Sequence, residues 1–232
     1  MKICLAQTKA ITADISANIN KHLSFINRAV EQNVDLIVFP ELSLTGYEPE
    51  LANKLATSSD DARFEVFQEI SDSKKISIAV GMPLKLDNGI SISTIIFRAN
   101  SKRLVYSKEY LHADEKPFFV AGSNPSLIID KEKNIALAIC YEISVAKHAQ
   151  KAAKEGAKIY IASVAKFASG VVDANKRLAE IAKKYNMTAL MVNAVGEADG
   201  GLCDGGSAVW GSNGIRLEPL PNNAEGLIIF DL

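Results

Sequence analysis

The chain has 232 residues, a net charge of −1 and 48% hydrophobic residues, enough for one sizeable domain with its own core and too balanced in charge for nucleic acid or an anionic membrane as main partner. No apolar run approaches the roughly 18 residues of a membrane span, and the first residues, which turn polar quickly, carry no signal-peptide pattern. Cys4, Cys140 and Cys203 are odd in number, far apart and without a C-x-x-C pair, so no disulfide framework is expected and a reducing cytoplasm is the default location.

Lys2 to Gln7 reads as a first strand. Ile15, Ile19, Leu23, Ile26 and Val30 recur at helical spacing, with Asp14 placed as an N-cap and Asn33 closing the helix. Asp35 to Phe39 predicts a buried strand ending at Pro40-Glu41. Phe64, Phe67 and Ile70 mark a second helix, and Ile76 to Met82 a strand ending near Gly81. Ile90 to Phe97 and Arg103 to Tyr106 read as a hairpin around Asn100-Ser101, and a long irregular segment runs from Ser107 to Pro125. Leu127 to Asp130 pairs with Ile135 to Cys140. Val145 to Glu155 is helical, Lys158 to Ala162 extended, Arg177 to Tyr185 helical, and Ala189 to Val195 extended before Gly196. Helix–strand–helix–strand thus occurs twice, which predicts two similar α/β layers with their sheets face to face and helices outside.

Three residues stand out by position. Cys140 ends an apolar run of six residues that reads as a strand buried on both faces. At a strand-to-helix turn, free amides and the positive end of the following helix would favour its thiolate, although on this stretch alone a packed core cysteine is the better explanation. Glu41 follows a buried strand and a proline, where partial desolvation raises a carboxyl toward the range of a general base. Lys108 ends a strand and opens the irregular segment, where an ammonium can stabilise a developing oxyanion; by composition it is one lysine among many. The three histidines fit nothing equally specific. His22 lies in the first helix, His148 is expected to point away from Cys140, and His112 sits in the loop; they show no metal-ligand spacing.

Taken together, Phe39-Pro40-Glu41-Leu42-Ser43-Leu44-Thr45-Gly46-Tyr47, Lys108…Glu115 and Cys140-Tyr141-Glu142-Ile143 resemble the carbon–nitrogen hydrolases, the nitrilase superfamily. Asn193 with Gly196, and Gly206-Ser207…Gly214, are similar to the late motifs of that family. The resemblance implies an α/β fold, a four-layer αββα sandwich of two mixed sheets packed face to face, in one domain over residues 1–232. It implies Cys140 as nucleophile, Glu41 as general base, Lys108 as the oxyanion-stabilising cation and Glu115 as the second glutamate, with the Tyr141 N–H as a further oxyanion donor. Tyr47 and Val164, with Lys166 on the same loop as Val164, are candidate pocket residues. Ser144, Ala146 and Lys147 depart from the family pattern after the cysteine, where Arg and Pro-Glu are common.

The function expected from this resemblance is hydrolysis of a small carboxamide or N-carbamoyl compound by a cytoplasmic enzyme that needs no metal or organic cofactor and forms a homodimer or larger assembly. A true nitrilase and a non-catalytic binding member of the fold are the alternatives.

Overall fold

The computed structural model describes residues 1–232, with the side chain of Glu218 set aside. Strand β1 (Lys2–Gln7) leads to α1 (Ile15–Glu31), β2 (Leu36–Val38), a short α2 (Ala52–Leu55) and α3 (Glu65–Lys74). Then come β3 (Ser77–Leu86), β4 (Gly89–Phe97) and β5 (Leu104–Ser107). The second half holds β6 (Ile128–Asp130), β7 (Ile135–Ile139), α4 (Ala146–Lys154), β8 (Ile159–Val164), α5 (Ala168–Tyr185) and β9 (Thr188–Asn193). It finishes with β10 (Val195–Ala198), β11 (Gly201–Asp204), β12 (Ala208–Trp210), β13 (Arg216–Pro219) and β14 (Gly226–Asp231).

Two six-stranded sheets result, ordered β14-β1-β2-β3-β4-β5 and β13-β12-β9-β8-β7-β6, with β10 and β11 as a separate hairpin. In each sheet three central parallel strands, β1-β2-β3 and β7-β8-β9, are flanked by antiparallel ones. The repeat expected from the sequence is therefore a repeat of sheet architecture. Strand alternation then sorts side chains into layers. Ile3, Leu5, Leu36 and Val38 face the second sheet and join its residues in one core. Cys4, Ala6, Ile37 and Phe39 face outward and form another core with Ile15, Ile19 and Ile26 of α1 and Phe67 of α3. Ala149 of α4 and Val171, Ala174 and Leu178 of α5 cover the second sheet, completing the α–β–β–α order. Asp14 caps α1 by accepting from the Ala17 N–H at 2.9 Å, and Asn33 takes a left-handed φ of 55° beyond its end. No helix among the described residues is long and apolar enough to cross a membrane.

Two boundaries differ from the sequence reading. Strand β3 does not end near Gly81 but runs to Leu86, pairing with β4 in register Gly81↔Thr94. Gly81 marks a close backbone approach instead: a Cβ there would stand 2.4 Å from the Leu42 nitrogen and 2.5 Å from the Pro40 oxygen. Helix α5 begins at Ala168, well before Arg177. Gly170 and the β-branched Val171-Val172 lower its local propensity, but Val171, Ala174, Leu178 and Ile181 share one buried face, and that packing decides.

Candidate active site

Glu41 lies on the loop immediately after β2. The loop is pressed onto β3 because Gly81 has no side chain, with Leu44 N–H donating to the Gly81 carbonyl at 3.0 Å. Helix α1 braces the same loop: Asn18 Nδ2 donates to the Leu44 carbonyl at 3.0 Å, and His22 Nε2 is 2.9 Å from Ser43 Oγ. Burial pushes the His22 imidazole down to about 3, so it braces the loop in its neutral form. The Glu41 carboxylate is thereby fixed in the interior.

Lys108 follows β5, and its backbone N–H extends the strand by donating to the Ile92 carbonyl at 2.9 Å. The irregular segment returns against it, with Gly122 N–H donating to the Lys108 carbonyl at 2.8 Å. A Cβ on Gly122 would lie 2.4 Å from the Ser107 Cβ, so only glycine allows that return. Lys108 is fully enclosed. Its Nζ donates to Glu41 Oε1 at 2.8 Å and to Glu115 Oε1 at 2.5 Å. Glu115 is held by the Tyr47 hydroxyl at 3.0 Å and by the His112 N–H at 2.7 Å. Burial works against the Lys108 ammonium, but the charges of Glu41, Cys140 and Glu115 outweigh it and hold its pKa well above the ordinary value. Burial raises the Glu41 carboxyl, with the Glu115 charge adding to the effect and the Lys108 charge opposing it.

Cys140 is the first residue of a single 3₁₀ turn, Cys140–Ser144, at the end of β7. Its φ of +44° is uncommon for a non-glycine residue and is a local strain of the kind found at functional turns. The residue keeps partial contact with solvent. The sequence expectation of a favoured thiolate is corrected here: burial first, and then the Glu41 charge, push the thiol up to about 11, with Lys166 and Lys108 opposing. The turn is too short to bring a strong helix dipole. Cys140 reaches near enough to Glu41 for the thiol to favour the ionised carboxylate slightly. The contact falls short of a formed hydrogen bond, so Glu41 Oε2 is buried without a partner among the described residues.

A second buried carboxylate lies two residues on. Glu142 Oε2 accepts from the Ile139 N–H and from the Tyr106 hydroxyl, each at 2.8 Å, and Oε1 accepts from the Glu109 N–H at 2.6 Å. It therefore ties the end of the cysteine strand to the backbone just after Lys108. Tyr106 in turn lies 2.8 Å from His148 Nε2, and His148 Nδ1 lies 2.8 Å from the Tyr160 hydroxyl. With the Tyr106 proton directed at Glu142, His148 must donate from Nε2 and accept at Nδ1. Burial lowers this imidazole to about 4, consistent with a neutral ring. His148 faces the sheet from α4, with its ring held by Tyr106 and Tyr160 and not by Cys140. This network is what the sequence reading missed: its members come from β5, the 3₁₀ turn, α4 and β8, and no local pattern joins them.

The other candidates take different places. Tyr47 touches Glu115. Tyr141 is half-buried, its ring edge-on to His112 at 5.1 Å between centroids. Val164 is wholly enclosed in the core. Asn193 shapes the loop after β8, accepting from the Lys166 N–H at 2.8 Å and donating to the Lys166 and Gly205 carbonyls at 3.0 and 2.8 Å. Cys4 and Cys203 are free and buried, Cys4 against α1, and Cys203 opposite Phe167 and within electrostatic range of Cys140 and Glu41. No group of three His, Cys, Asp or Glu side chains among the described residues is arranged to hold a metal ion.

A cysteine at a strained strand end, beside a buried Glu–Lys–Glu cluster between two packed sheets, defines the class of an enzyme with a thiol at its centre. The family profile of carbon-nitrogen hydrolases matches residues 2–232, and the chain belongs to that family. A solved structure of a variant amidase from Nesterenkonia sp. AN1, with acrylamide added at its active-site cysteine, superposes with a TM-score of 0.90 at 26% identity, covering 100% of this chain and 93% of that one. Another variant of that amidase, in complex with butyramide, superposes equally well and covers 100% of this chain and 90% of that one. The (R)-stereoselective amidase of a Pseudomonas species is 24% identical over 90% of this chain and 76% of its own length. The glutamine-dependent NAD(+) synthetase of Acinetobacter baylyi is 26% identical over 97% of this chain, which spans 43% of that relative. The chain is thus an amidase-like hydrolase of the nitrilase superfamily.

Proposed function

We propose that this enzyme cleaves the C–N bond of a small carboxamide, or of an N-carbamoyl compound, through a thioester on Cys140. Glu41 takes the thiol proton as sulfur attacks the carbonyl carbon. A thiol near 11 is almost wholly protonated at neutral pH, so attack needs a base in contact with it. The oxyanion that forms is stabilised by Lys108 Nζ and the Tyr141 backbone N–H, each such donor being worth roughly 3–4 kcal/mol. Collapse breaks the C–N bond, and Glu41 returns the proton to the departing nitrogen, which leaves as ammonia or an amine. Glu41 then deprotonates water, which attacks the thioester, releases the acid and restores the thiol. Glu115 holds Lys108 and orients the substrate amide.

The observation that carries this reading is Glu41 Oε2, a buried acceptor with no partner among the described residues, on a carboxyl group that the Cys140 thiol reaches and whose other oxygen is held by Lys108. Likeness to the NAD(+) synthetase supports a second reading, release of ammonia from glutamine, which uses the same atoms. We propose further that the enzyme acts in the cytoplasm as a homodimer or larger assembly; light scattering showing only monomer would count against the latter. The functional test is ammonia release from a panel of small amides, carbamoyl compounds and nitriles. Turnover of amides by wild type, lost in Cys140→Ala, is expected. Turnover of nitriles alone would indicate a nitrilase, and no turnover of any compound a binding role.

A further inference from the structure

Cys140 and Lys108 come from different sheets: Cys140 ends β7 and Lys108 follows β5. Their spacing therefore depends on what joins the two sheets near the site. For Glu41 the join is the Ser163 hydroxyl on β8, which donates to the Phe39 carbonyl at 2.8 Å. For Lys108 it is Glu142. One of its oxygens accepts from the Ile139 N–H, just before Cys140; the other accepts from the Glu109 N–H, just after Lys108, with the Tyr110 N–H at 3.4 Å. A carboxylate holds such amides roughly twice as strongly as a neutral carboxyl would. Whatever keeps Glu142 ionised therefore keeps the two ends together.

Behind Glu142 stand three buried side chains in a row, Tyr106, His148 and Tyr160, each 2.8 Å from the next. Their protons can be ordered in two ways. In the first, Tyr160 donates to His148 Nδ1, the Nε2–H donates to Tyr106 and Tyr106 donates to Glu142, so every proton is aimed at the carboxylate. In the second, every proton is reversed, and Glu142 must itself donate as a neutral carboxyl. The tautomer of His148 distinguishes the two. The amides on Glu142 favour its ionised form and hence the first order. A doubly protonated ring, whose Nε2 lies 3.4 Å from Glu142 Oε2, would be a third arrangement, which burial of the imidazole opposes. Three residues further along α4, Lys151 donates to Glu109 Oε1 at 3.0 Å, so the same helix also meets the Lys108 flank from outside. That pair is partly exposed and contributes little.

We propose that His148 is a positioning residue: as the Nε2–H tautomer it aims the Tyr106 hydroxyl at Glu142, and Glu142 so oriented holds the Cys140 turn and the Lys108 ammonium at their working separation. The role rests on amide hydrolysis at Cys140. His148 is fully enclosed and its ring nitrogens meet the two tyrosines, so it acts through Tyr106 and not on the amide itself.

Long-range proton–nitrogen NMR spectra at about pH 8, on protein labelled in its histidine rings, read the tautomers without any variant. His22 Nδ1 lies 2.7 Å from the Asn18 carbonyl, which only accepts, so His22 carries its proton there. One buried ring protonated at Nδ1 and one at Nε2 are expected. Two rings protonated at Nδ1, or a buried ring protonated at both nitrogens, overturn the proposal. In turnover of a small amide, His148→Leu should lower kcat by about 5-fold with KM nearly unchanged. His148→Gln, which also offers one donor and one acceptor, should restore most of that loss. In a Tyr106→Phe background His148→Leu should cost no further kcat, because the hydroxyl through which it acts is gone. Lys151→Met should leave kcat unchanged. Losses from His148→Leu and Tyr106→Phe that add, or an equal loss from Lys151→Met, would make α4 a merely structural support and overturn the proposal. Should His148→Leu fail to fold, the tautomer and Tyr106→Phe still decide, since a Tyr106→Phe variant with wild-type kcat also overturns it. If wild type turns over no amide, the hydrolase reading fails. Hydrogen exchange at the Ile139 and Glu109 amides, expected to quicken in His148→Leu, then decides whether His148 holds the two ends, and unchanged exchange overturns the proposal.

Discussion

Glu41 and Glu142 are both enclosed carboxylates within reach of the Cys140 turn, yet their surroundings differ in kind. Both oxygens of Glu142 are occupied by donors, three of them the backbone amides of Ile139, Glu109 and Tyr110 and one the Tyr106 hydroxyl. Glu41 has one oxygen on Lys108 and the other without a partner among the described residues. Burial raises both carboxyls, Glu142 to about 7 against its donors. The lesson lies in the unfilled valence. A saturated buried carboxylate organises backbone, whereas one left half-satisfied holds an acceptor ready for a proton that is not yet there. The proposed mechanism assigns that proton to the Cys140 thiol.

Substitutions should separate the two. Glu41→Gln preserves shape and removes the base, so kcat should fall by roughly 10²–10⁴-fold while the thermal midpoint changes little. A variant with near-normal kcat would place the base elsewhere. Lys108→Ala should lower kcat on the order of 10²–10³-fold. It should also destabilise the fold by roughly 3–5 kcal/mol in denaturant titration, because Glu41 and Glu115 are left buried without their shared cation.

The thiol gives a pH test. Because the Cys140 pKa is raised to about 11, its thiolate fraction is small at pH 8 and grows as pH increases. In the absence of substrate, iodoacetamide should modify Cys140 on the order of ten-fold more slowly than an exposed thiol at pH 8, the greater basicity of the thiolate offsetting part of its scarcity. The rate should climb through pH 10; a plateau near 8.5 would show that the thiol is not raised.

Glu142→Gln should give the opposite signature to Glu41→Gln. An amide cannot accept at both ends, so its NH2 must face a backbone N–H. The cost is roughly 1–3 kcal/mol of stability, with a loss of kcat on the order of ten-fold as the Cys140 turn loosens. If stability is untouched, the network does not brace the site. The smallest effect belongs to Tyr47→Phe, which removes one hydrogen bond to Glu115. A few-fold loss in kcat/KM corresponds to the roughly 0.5–1.5 kcal/mol of such a bond.

Glu41, Lys108 and Cys140 each stood out as ending an apolar strand, but position alone left each open, and only the resemblance to the carbon–nitrogen hydrolases gave them roles. Their mutual distances were not readable, since the Lys108–Glu41 hydrogen bond alone joins residues 67 positions apart in the chain. The Glu142 network was hidden for the same reason, its partners Tyr106 and His148 being separated by 42 positions. The Cys140 environment was misjudged because dipole arguments were local, whereas desolvation comes from the whole enclosure. The early turns of α5 were not read as helix because Gly170 and Val171-Val172 carry low helix propensity, whereas the buried face of Val171, Ala174 and Leu178 holds them helical in the fold.

The central claim is that Cys140 carries the acyl group. The direct measurement is rapid quenching during turnover of a small amide, followed by peptide mass spectrometry. The account predicts an added mass equal to the acyl group on the peptide containing Cys140, transient in wild type and absent in Cys140→Ala. An acyl group on Cys4 or Cys203, or undiminished turnover by Cys140→Ala, would contradict it.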